Sequence, residues 1–168
     1  MIFQGSREVE FEPGRGKIPV VRRRKGLGSA IGSGIAHNFA MTRVLLVEDS
    51  SDILYVMQME LEWLGYTVYV AANAQTGIEI ARLSHPDVIV SDLGLPEEDG
   101  FEFIKRIRKT KELAAVPAIA LTGFGEPRDV QQALSLGFTA HLTKPVEGNE
   151  LADLIEKLTT SRLERKAA

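Results

Sequence analysis

The 168-residue sequence predicts an α/β protein in which a doubly wound, five-stranded parallel sheet lies between two layers of helices. Two observations lead to this class. From Thr42 onward, five short apolar runs alternate with segments whose apolar residues recur every three or four positions, which is the pattern of repeated βα units. The runs are almost continuously apolar, as expected for strands that helices cover on both faces.

Each predicted element follows from this alternation. The strands, in chain order, are Val44–Val47, Val68–Ala71, Val88–Val90, Ala118–Leu121 and Ala140–Leu142. The helix that follows each strand is predicted from apolar residues that share one face, namely Ile53, Met57, Leu61 and Leu64; Ala74, Ile78 and Ala81; Phe101, Ile104 and Ile107; Val130, Ala133 and Leu134; and Leu151, Leu154, Ile155 and Leu158. Trp63 and Leu64 close the first helix, and we expect both to cover the core.

Charge divides the chain near Met41. Residues 1–40 carry seven Lys or Arg and three Glu (net +4), whereas residues 41–168 carry thirteen basic and twenty acidic residues (net −7). The first segment is rich in glycine and contains the basic run Arg22–Lys25, so we expect a flexible leader or tag. An arm that binds nucleic acid is the alternative, since clustered cations release counterions from phosphates. Residues 41–168 are predicted to form the folded domain.

The composition also excludes several classes of function. The sequence contains no cysteine, which removes disulfide scaffolds, thiolate zinc sites and cysteine nucleophiles. No stretch reaches the roughly 20 apolar residues of a membrane span, so we expect a soluble, cytoplasmic protein. Its chemistry must therefore use oxygen and nitrogen groups.

Polar side chains follow four of the five predicted strands. Glu48 and Asp49 come after the first strand, Asp92 after the third, Thr122 after the fourth and Lys144 after the fifth. Ligand sites of open parallel sheets lie at the carboxyl ends of the strands, so we expect these groups to converge on one rim.

The residue types that follow the strands indicate a site that binds a metal ion and a phosphoryl group. Three neighbouring carboxylates repel one another unless a cation lies between them, and hard oxygen ligands suit Mg²⁺, which commonly completes its shell with phosphate oxygens. An aspartate that attacks phosphorus forms an acyl phosphate. The cation, Lys144 and Thr122 could then stabilise the charge on the phosphoryl oxygens.

Four blocks of the sequence resemble, in order and spacing, those of the receiver domain of bacterial two-component response regulators. They are Val44–Asp49, Asp92–Gly100, Leu121–Gly123 and Leu142–Pro145. The resemblance covers about residues 42 to 160, and the stretch from Leu121 to Val146 is especially similar to receivers of hybrid sensor kinases. It implies a flavodoxin-like fold with the strand order 2-1-3-4-5.

The resemblance implies a role for each acidic residue. Asp92 matches the phosphoacceptor, and Glu48 and Asp49 match the pair that holds Mg²⁺ together with it. Gly94 matches the position that offers a backbone carbonyl to the metal. Glu98 departs from the commonest pattern, which has methionine there, so loop packing around it is an open question.

The resemblance also implies a switch. Thr122 matches the hydroxyl that bonds the phosphoryl group, and Lys144 matches its cationic partner, with a cis bond expected between Lys144 and Pro145. His141 matches the switch position, whose ring turns inward when Thr122 moves toward the phosphoryl oxygen. A half-exposed strand histidine without a role is the alternative.

The predicted function is phosphorelay signal transduction by a domain that is not an enzyme but assists its own phosphorylation and dephosphorylation. The expected donor is a sensor histidine kinase or a histidine phosphotransfer protein. One helix and a charged tail follow Lys144, so we expect no DNA-binding domain and output through protein contact. A homodimer, a stand-alone regulator and a receiver excised from a larger kinase all remain open.

Three other functions compete with this one. A haloacid-dehalogenase-type phosphatase also uses an aspartate and Mg²⁺, but it needs Asp-x-Asp after its first strand, where this chain has Glu48, Asp49 and Ser50. A receiver-like interaction module would act without phosphorylation. A flavodoxin-like cofactor binder would need a phosphate loop rich in Ser, Thr and Gly after the first strand.

Overall fold

A computed structural model describes residues 42–123 and 127–167, with side chains described as far as Arg162. The predicted leader, residues 1–40, lies outside the described residues. The domain boundary near Met41 therefore stays a prediction.

The described residues form a parallel sheet of five strands with helices on both faces. In chain order the elements are β1 (Arg43–Val47), α1 (Ser51–Trp63), β2 (Thr67–Ala71), α2 (Ala74–Ser84), β3 (Val88–Asp92), α3 (Gly100–Lys109), β4 (Ala118–Thr122), α4 (Pro127–Leu136), β5 (Ala140–Thr143) and α5 (Gly148–Ala167). The strand order is β2-β1-β3-β4-β5, and every neighbouring pair is parallel. The predicted doubly wound, flavodoxin-like sheet is confirmed.

Alternation along the strands builds two separate cores. Successive side chains of a strand point to opposite faces of the sheet. Leu45 and Val47 of β1 accordingly pack with Phe103 of α3 in one cluster. Val44 and Leu46 pack with the helices of the opposite layer, α1 and α5. Because both faces are covered, successive residues of β1 from Val44 to Val47 are all apolar and buried.

The predicted inner face of α1 is partly wrong. The helix buries Met57 and Leu61, as predicted, but Trp63 is 82% exposed and Ile53 is 39% exposed. Trp63 follows Leu61 by two residues, which is about 200° around a helix, so it points away from the sheet. Trp63 therefore does not cover the core, and Leu64, for which the same was predicted, is 36% exposed.

The predicted faces of α3 and α4 need smaller corrections. In α3 Phe103 is fully buried, whereas the predicted Phe101 packs against the cluster but stays partly exposed. In α4 Ala133 is the buried residue, and Leu134 is 43% exposed. The buried face of α3 is therefore centred on Phe103 rather than Phe101, and the buried face of α4 is narrower than predicted.

A half-buried arginine ties α3 to the turn between α4 and β5. The guanidinium of Arg108 donates to the carbonyl oxygens of Gly137 (2.7 Å) and Val116 (2.7 Å), and burial lowers the pKa of Arg108. Gly137 has φ 123°, in the left-handed region, and a Cβ built there would lie 2.8 Å from Cγ of Arg108. This position therefore requires glycine.

We expect Gly137→Ala to lower the free energy of unfolding by about 2 kcal/mol, because it combines an unfavourable φ with a clash against Arg108. Chemical denaturation of the purified protein measures this change. Gly123→Ala is the matched control, since a Cβ built at Gly123 has no neighbour within 4 Å. Equal stability losses in the two variants would show that the Arg108 contact does not constrain Gly137.

Candidate functional site

The predicted site residues meet at the carboxyl edge of the sheet. Glu48 and Asp49 directly follow β1, Asp92 is the last residue of β3, Thr122 is the last residue of β4 and Lys144 directly follows β5. Parallel strands bring their carboxyl ends to one edge, which explains how residues far apart in the chain become neighbours.

Three carboxylates form a cluster at this edge. Glu48, Asp49 and Asp92 each offer one oxygen, and these oxygens lie within 4.8 Å of one another. Glu48 is 2% exposed and Asp92 is 8% exposed, while Asp49 is open to solvent. Three negative charges so close together, two of them buried, require cationic compensation. The all-oxygen donor set suits a hard divalent cation such as Mg²⁺.

Lys144 supplies one positive charge inside this cluster. Its Nζ lies 2.5 Å from Oε2 of Glu48 and 3.0 Å from Oδ2 of Asp92. Burial alone lowers the pKa of Lys144, but the hydrogen bonds and charges of Glu48 and Asp92 outweigh burial and raise its pKa overall. The lysine is therefore charged at neutral pH. The bond between Lys144 and Pro145 is cis.

Tight packing holds the end of β3, where Asp92 lies. The N–H of Leu93 donates to the carbonyl oxygen of Leu121 (3.0 Å), and the N–H of Gly100 donates to that of Leu93 (3.0 Å). A Cβ built at Gly100 would lie 2.5 Å from the carbonyl oxygen of Asp92. Helix α3 can therefore begin against the strand end because residue 100 is glycine. Asp99 caps this helix.

Hydrogen bonds also fix Glu48. Its backbone N–H donates to the carbonyl oxygen of Ala71 (3.0 Å), and its Oε1 accepts from the N–H of Ser50 (3.1 Å). The other carboxylate oxygen pairs with Lys144. Glu48 thus bridges the start of α1 and the loop after β5, a role that the sequence analysis missed and that no local sequence signal reveals.

Thr122, His141 and Gly94 surround the cluster. Thr122 is 3% exposed, and its Oγ1 lies 3.5 Å from the carbonyl oxygen of Leu142. His141 is half-buried on β5, in register with Ala120. A Cβ built at Gly94 would lie 3.5 Å from Oδ2 of Asp92. The switch and metal roles of these residues stay predictions.

Glu98 is accommodated by an ion pair outside the cluster. Oε2 of Glu98 lies 2.5 Å from Nη1 of Arg106, and Nη2 of Arg106 donates to Oε1 of Gln75 (2.9 Å). A carboxylate at this position is therefore paired rather than directed at Asp92.

A cleft of about 500 Å³ lies beside the cluster, between α1 and the loop after β5. Ile53 and Val56 line it from α1, Pro145 and Val146 line it from the loop, and Lys144 borders it. No sequence pattern predicts this cleft, because it arises where two segments distant in the chain are placed side by side.

Comparison with known proteins identifies relatives of this chain. The family model of the response regulator receiver domain matches residues 44–156. An uncharacterized 14.6 kDa protein of Leptolyngbya boryana is 39% identical over 118 residues, which are 70% of this chain and 90% of that protein. The chemotaxis response regulator CheY4 of Vibrio cholerae has a similar structure, with a TM-score of 0.67 and 31% identity over 70% of this chain and 98% of that one.

Longer relatives match over part of their length. The KDP operon transcriptional regulatory protein KdpE of Escherichia coli is 40% identical over 111 residues, which are 66% of this chain and 48% of that protein. The chain therefore spans about half the length of this regulator. These relatives give no support to the phosphatase alternative. Within the part of the chain that the structure describes, no helix is long and apolar enough to cross a membrane.

The raised pKa of Lys144 predicts a pH-dependent contribution to stability. A folded pKa above the ordinary value of 10.5 means that the pairing stabilises the fold fully below that pH and is lost as pH rises through the folded pKa. Without metal at pH 7, we expect Lys144→Met to lower the free energy of unfolding by about 1–3 kcal/mol, because Glu48 and Asp92 lose their cation.

Denaturation of wild type and Lys144→Met between pH 7 and pH 12 measures this contribution, which declines only above pH 10.5. Lys157→Met removes an exposed lysine from α5 and is the matched control. We expect the difference between wild type and Lys144→Met to shrink at the alkaline end. A difference that stays constant across the range would contradict the assigned pairing.

Proposed function

Because the chain belongs to the receiver domain family of response regulators, we propose that it accepts a phosphoryl group from a histidine of a partner protein onto Asp92. Its function is phosphorelay signal transduction, and it is a regulatory phospho-accepting domain. The observation that carries the assignment to Asp92 is its position among Glu48, Asp49 and Lys144 at the end of β3.

The transfer follows from the chemistry of the carboxylate. One oxygen of Asp92 attacks the phosphorus of a phosphohistidine and forms a P–O bond while the P–N bond breaks. The electron pair of that bond returns to the imidazole nitrogen, which can then take a proton. Lys144, already 3.0 Å from a carboxylate oxygen of Asp92, neutralises charge on the phosphoryl oxygens. The domain thereby assists its own phosphorylation.

A divalent cation completes this charge compensation. We infer that Glu48, Asp49, Asp92 and the backbone carbonyl of Gly94 hold Mg²⁺, whose charge stabilises the phosphoryl oxygens when it is bound. Support comes from the excess of negative charge, since one ammonium faces three carboxylates. Attack of water on the acyl phosphate would return Asp92 to its free form and release phosphate.

We further propose that phosphorylation of Asp92 changes the conformation of Thr122 at the end of β4 and of His141 on β5. Thr122 turns its hydroxyl from Leu142 toward a phosphoryl oxygen, and the ring of His141 moves into the space that it leaves. The long 3.5 Å contact of Thr122 supports this step, because a weak hydrogen bond is readily exchanged. The surface formed by α4 and β5 changes as a result.

The cleft beside Lys144 is the proposed docking place for the donor. Its apolar lining of Ile53, Val56, Pro145 and Val146 suits side chains of a helix that presents a phosphohistidine. The partner is a sensor histidine kinase or a histidine phosphotransfer protein. A donor seated there places its histidine beside the carboxyl ends of β1, β3 and β5.

Phosphorylation of Asp92 can be tested with a small phosphodonor. We expect acetyl phosphate with Mg²⁺ to add one phosphoryl group, detected by intact mass and removed by hydroxylamine, and Asp92→Asn to take up none. Asp153→Asn, an exposed change on α5, is the matched control and should be labelled like wild type. Undiminished labelling of Asp92→Asn would overturn the assignment.

The metal site can be tested without phosphorylation. We expect Mg²⁺ to bind the purified protein in calorimetric titrations and Asp49→Asn to weaken its affinity by about tenfold or more, because one carboxylate of the cluster is lost. Asp87→Asn, whose carboxylate pairs with Arg43 at the opposite edge of the sheet, serves as the control. Equal affinities of wild type and Asp49→Asn would argue against the proposed ligand set.

A further inference from the structure

The loop between β3 and α3, residues 93–99, is tied to two helices by an ion pair and a hydrogen bond. Nη1 of Arg106 on α3 lies 2.5 Å from Oε2 of Glu98 in the loop, and Nη2 of Arg106 donates to Oε1 of Gln75 on α2 (2.9 Å). These three residues are here named the Glu98 network. We propose that Glu98 and Arg106 are positioning residues that hold the loop in the shape in which Gly94 binds the metal ion. This inference rests on the proposed metal site and phosphoacceptor function.

The loop contains a three-residue turn with unfavourable backbone geometry. The N–H of Glu98 donates to the carbonyl oxygen of Pro96 (2.7 Å), and Glu97 between them has φ 66°. A residue with a side chain seldom adopts a positive φ, and three-residue turns of this kind are rare and strained. Such a conformation persists when the groups around it restrain the chain. The contacts on either side of Glu97 must therefore supply that restraint.

The contacts that restrain the loop act at different points along it. Its two ends are joined, because the N–H of Gly100 donates to the carbonyl oxygen of Leu93 (3.0 Å). Nearer its centre, Leu95 is 6% exposed and packs in the core cluster beneath α3. The side chain of Glu98 holds the chain directly after the turn, through its ion pair with α3. This ion pair is therefore the restraint that adjoins the strained residue, Glu97.

The guanidinium of Arg106 suits this task because it is held at two nitrogens. Gln75, which accepts from one of them, donates a 2.7 Å hydrogen bond to Oε1 of Glu79, so its amide is itself fixed. A planar fork bound at two points has less freedom than a single-point ion pair. The side chains of Arg106 and Glu98 are 40% and 27% exposed, and such pairs contribute little to overall stability. We therefore expect their loss to change the loop rather than the fold.

The loop reaches the metal site through Gly94. A Cβ built at Gly94 would lie 3.5 Å from Oδ2 of Asp92, so this backbone runs beside the carboxylate cluster. The carbonyl oxygen of Gly94 is the proposed backbone ligand. A backbone ligand has no rotamer with which to adjust, so the chain around it alone sets its direction. A loop released from the Glu98 network would misplace this oxygen and weaken Mg²⁺ binding.

Charge acting at a distance gives a different pattern of results. If Glu98 and Arg106 acted only through their charges, loss of Glu98 would weaken Mg²⁺ binding and loss of Arg106 would strengthen it, because a positive charge repels the metal ion. The two effects would then cancel in the double variant. Positioning predicts that either loss weakens binding. It also predicts that the double variant is no weaker than each single variant, since both changes remove the same interaction.

Calorimetric titration of the full chain with Mg²⁺ alone tests the proposal. We expect Glu98→Gln, Arg106→Gln and the double variant each to weaken Mg²⁺ affinity by about three- to fivefold, the range of one exposed ion pair. Lys105→Gln is the matched control, because it removes a similarly exposed cation, paired with Glu102, from the same helix. It should bind Mg²⁺ at least as tightly as wild type. Wild-type or higher affinity of Arg106→Gln, or of the double variant, would overturn the proposal.

Hydrogen exchange of the metal-free protein gives a second readout. We expect the backbone amides of residues 93–100 to exchange about threefold faster or more in Glu98→Gln and Arg106→Gln than in wild type, because the loop opens more easily. Lys105→Gln should exchange like wild type. Unchanged exchange in this segment would overturn the proposal. If wild type itself takes up no Mg²⁺, the proposed metal site fails, and the exchange rates still decide whether the Glu98 network holds the loop.

Discussion

The rest of the site depends on the two ion pairs that the ammonium of Lys144 forms with the carboxylates of Glu48 and Asp92. Two buried carboxylates beside a third at the end of one sheet are electrostatically unfavourable on their own. One lysine offsets part of that charge and leaves an excess that favours a divalent cation. A bound divalent cation together with the ammonium of Lys144 would offset the negative charge that phosphorylation adds at Asp92.

The fold supplies this arrangement through strand ends rather than through a local motif. The strands β1, β3 and β4 each pair with neighbours on both sides, so the residues at their carboxyl ends are positioned by the whole sheet. Gly100 lets α3 begin directly against the backbone of Asp92, and Glu48 joins the start of α1 to Lys144. A site on the ends of packed strands is more rigid than one carried by loops.

Much of this could be predicted from the sequence, because buried parallel strands are continuously apolar and the polar residue after each one is conspicuous. The strand order and the set Glu48, Asp49, Asp92, Thr122 and Lys144 follow from that pattern and from family resemblance. The exposure of individual side chains on the helices could not be predicted as accurately as the strands and the site residues. Phe101 and Phe103 are both apolar, and the phase of α3 decides which is buried. Trp63 is large and apolar yet faces solvent, and the cleft at Pro145 needs two distant segments to meet.

The central claim is that Asp92 is modified inside a pocket that Glu48, Asp49, Thr122 and Lys144 build together. A crystal structure of the protein with Mg²⁺ and beryllofluoride, an inert mimic of the phosphoryl group, tests it most directly. We expect beryllium to be bonded to a carboxylate oxygen of Asp92. The ammonium of Lys144 and the hydroxyl of Thr122 should contact its fluorine atoms, and the carboxylate of Asp49 should coordinate the cation. Beryllofluoride on another carboxylate, or a cation bound away from Asp49 and Asp92, would contradict it.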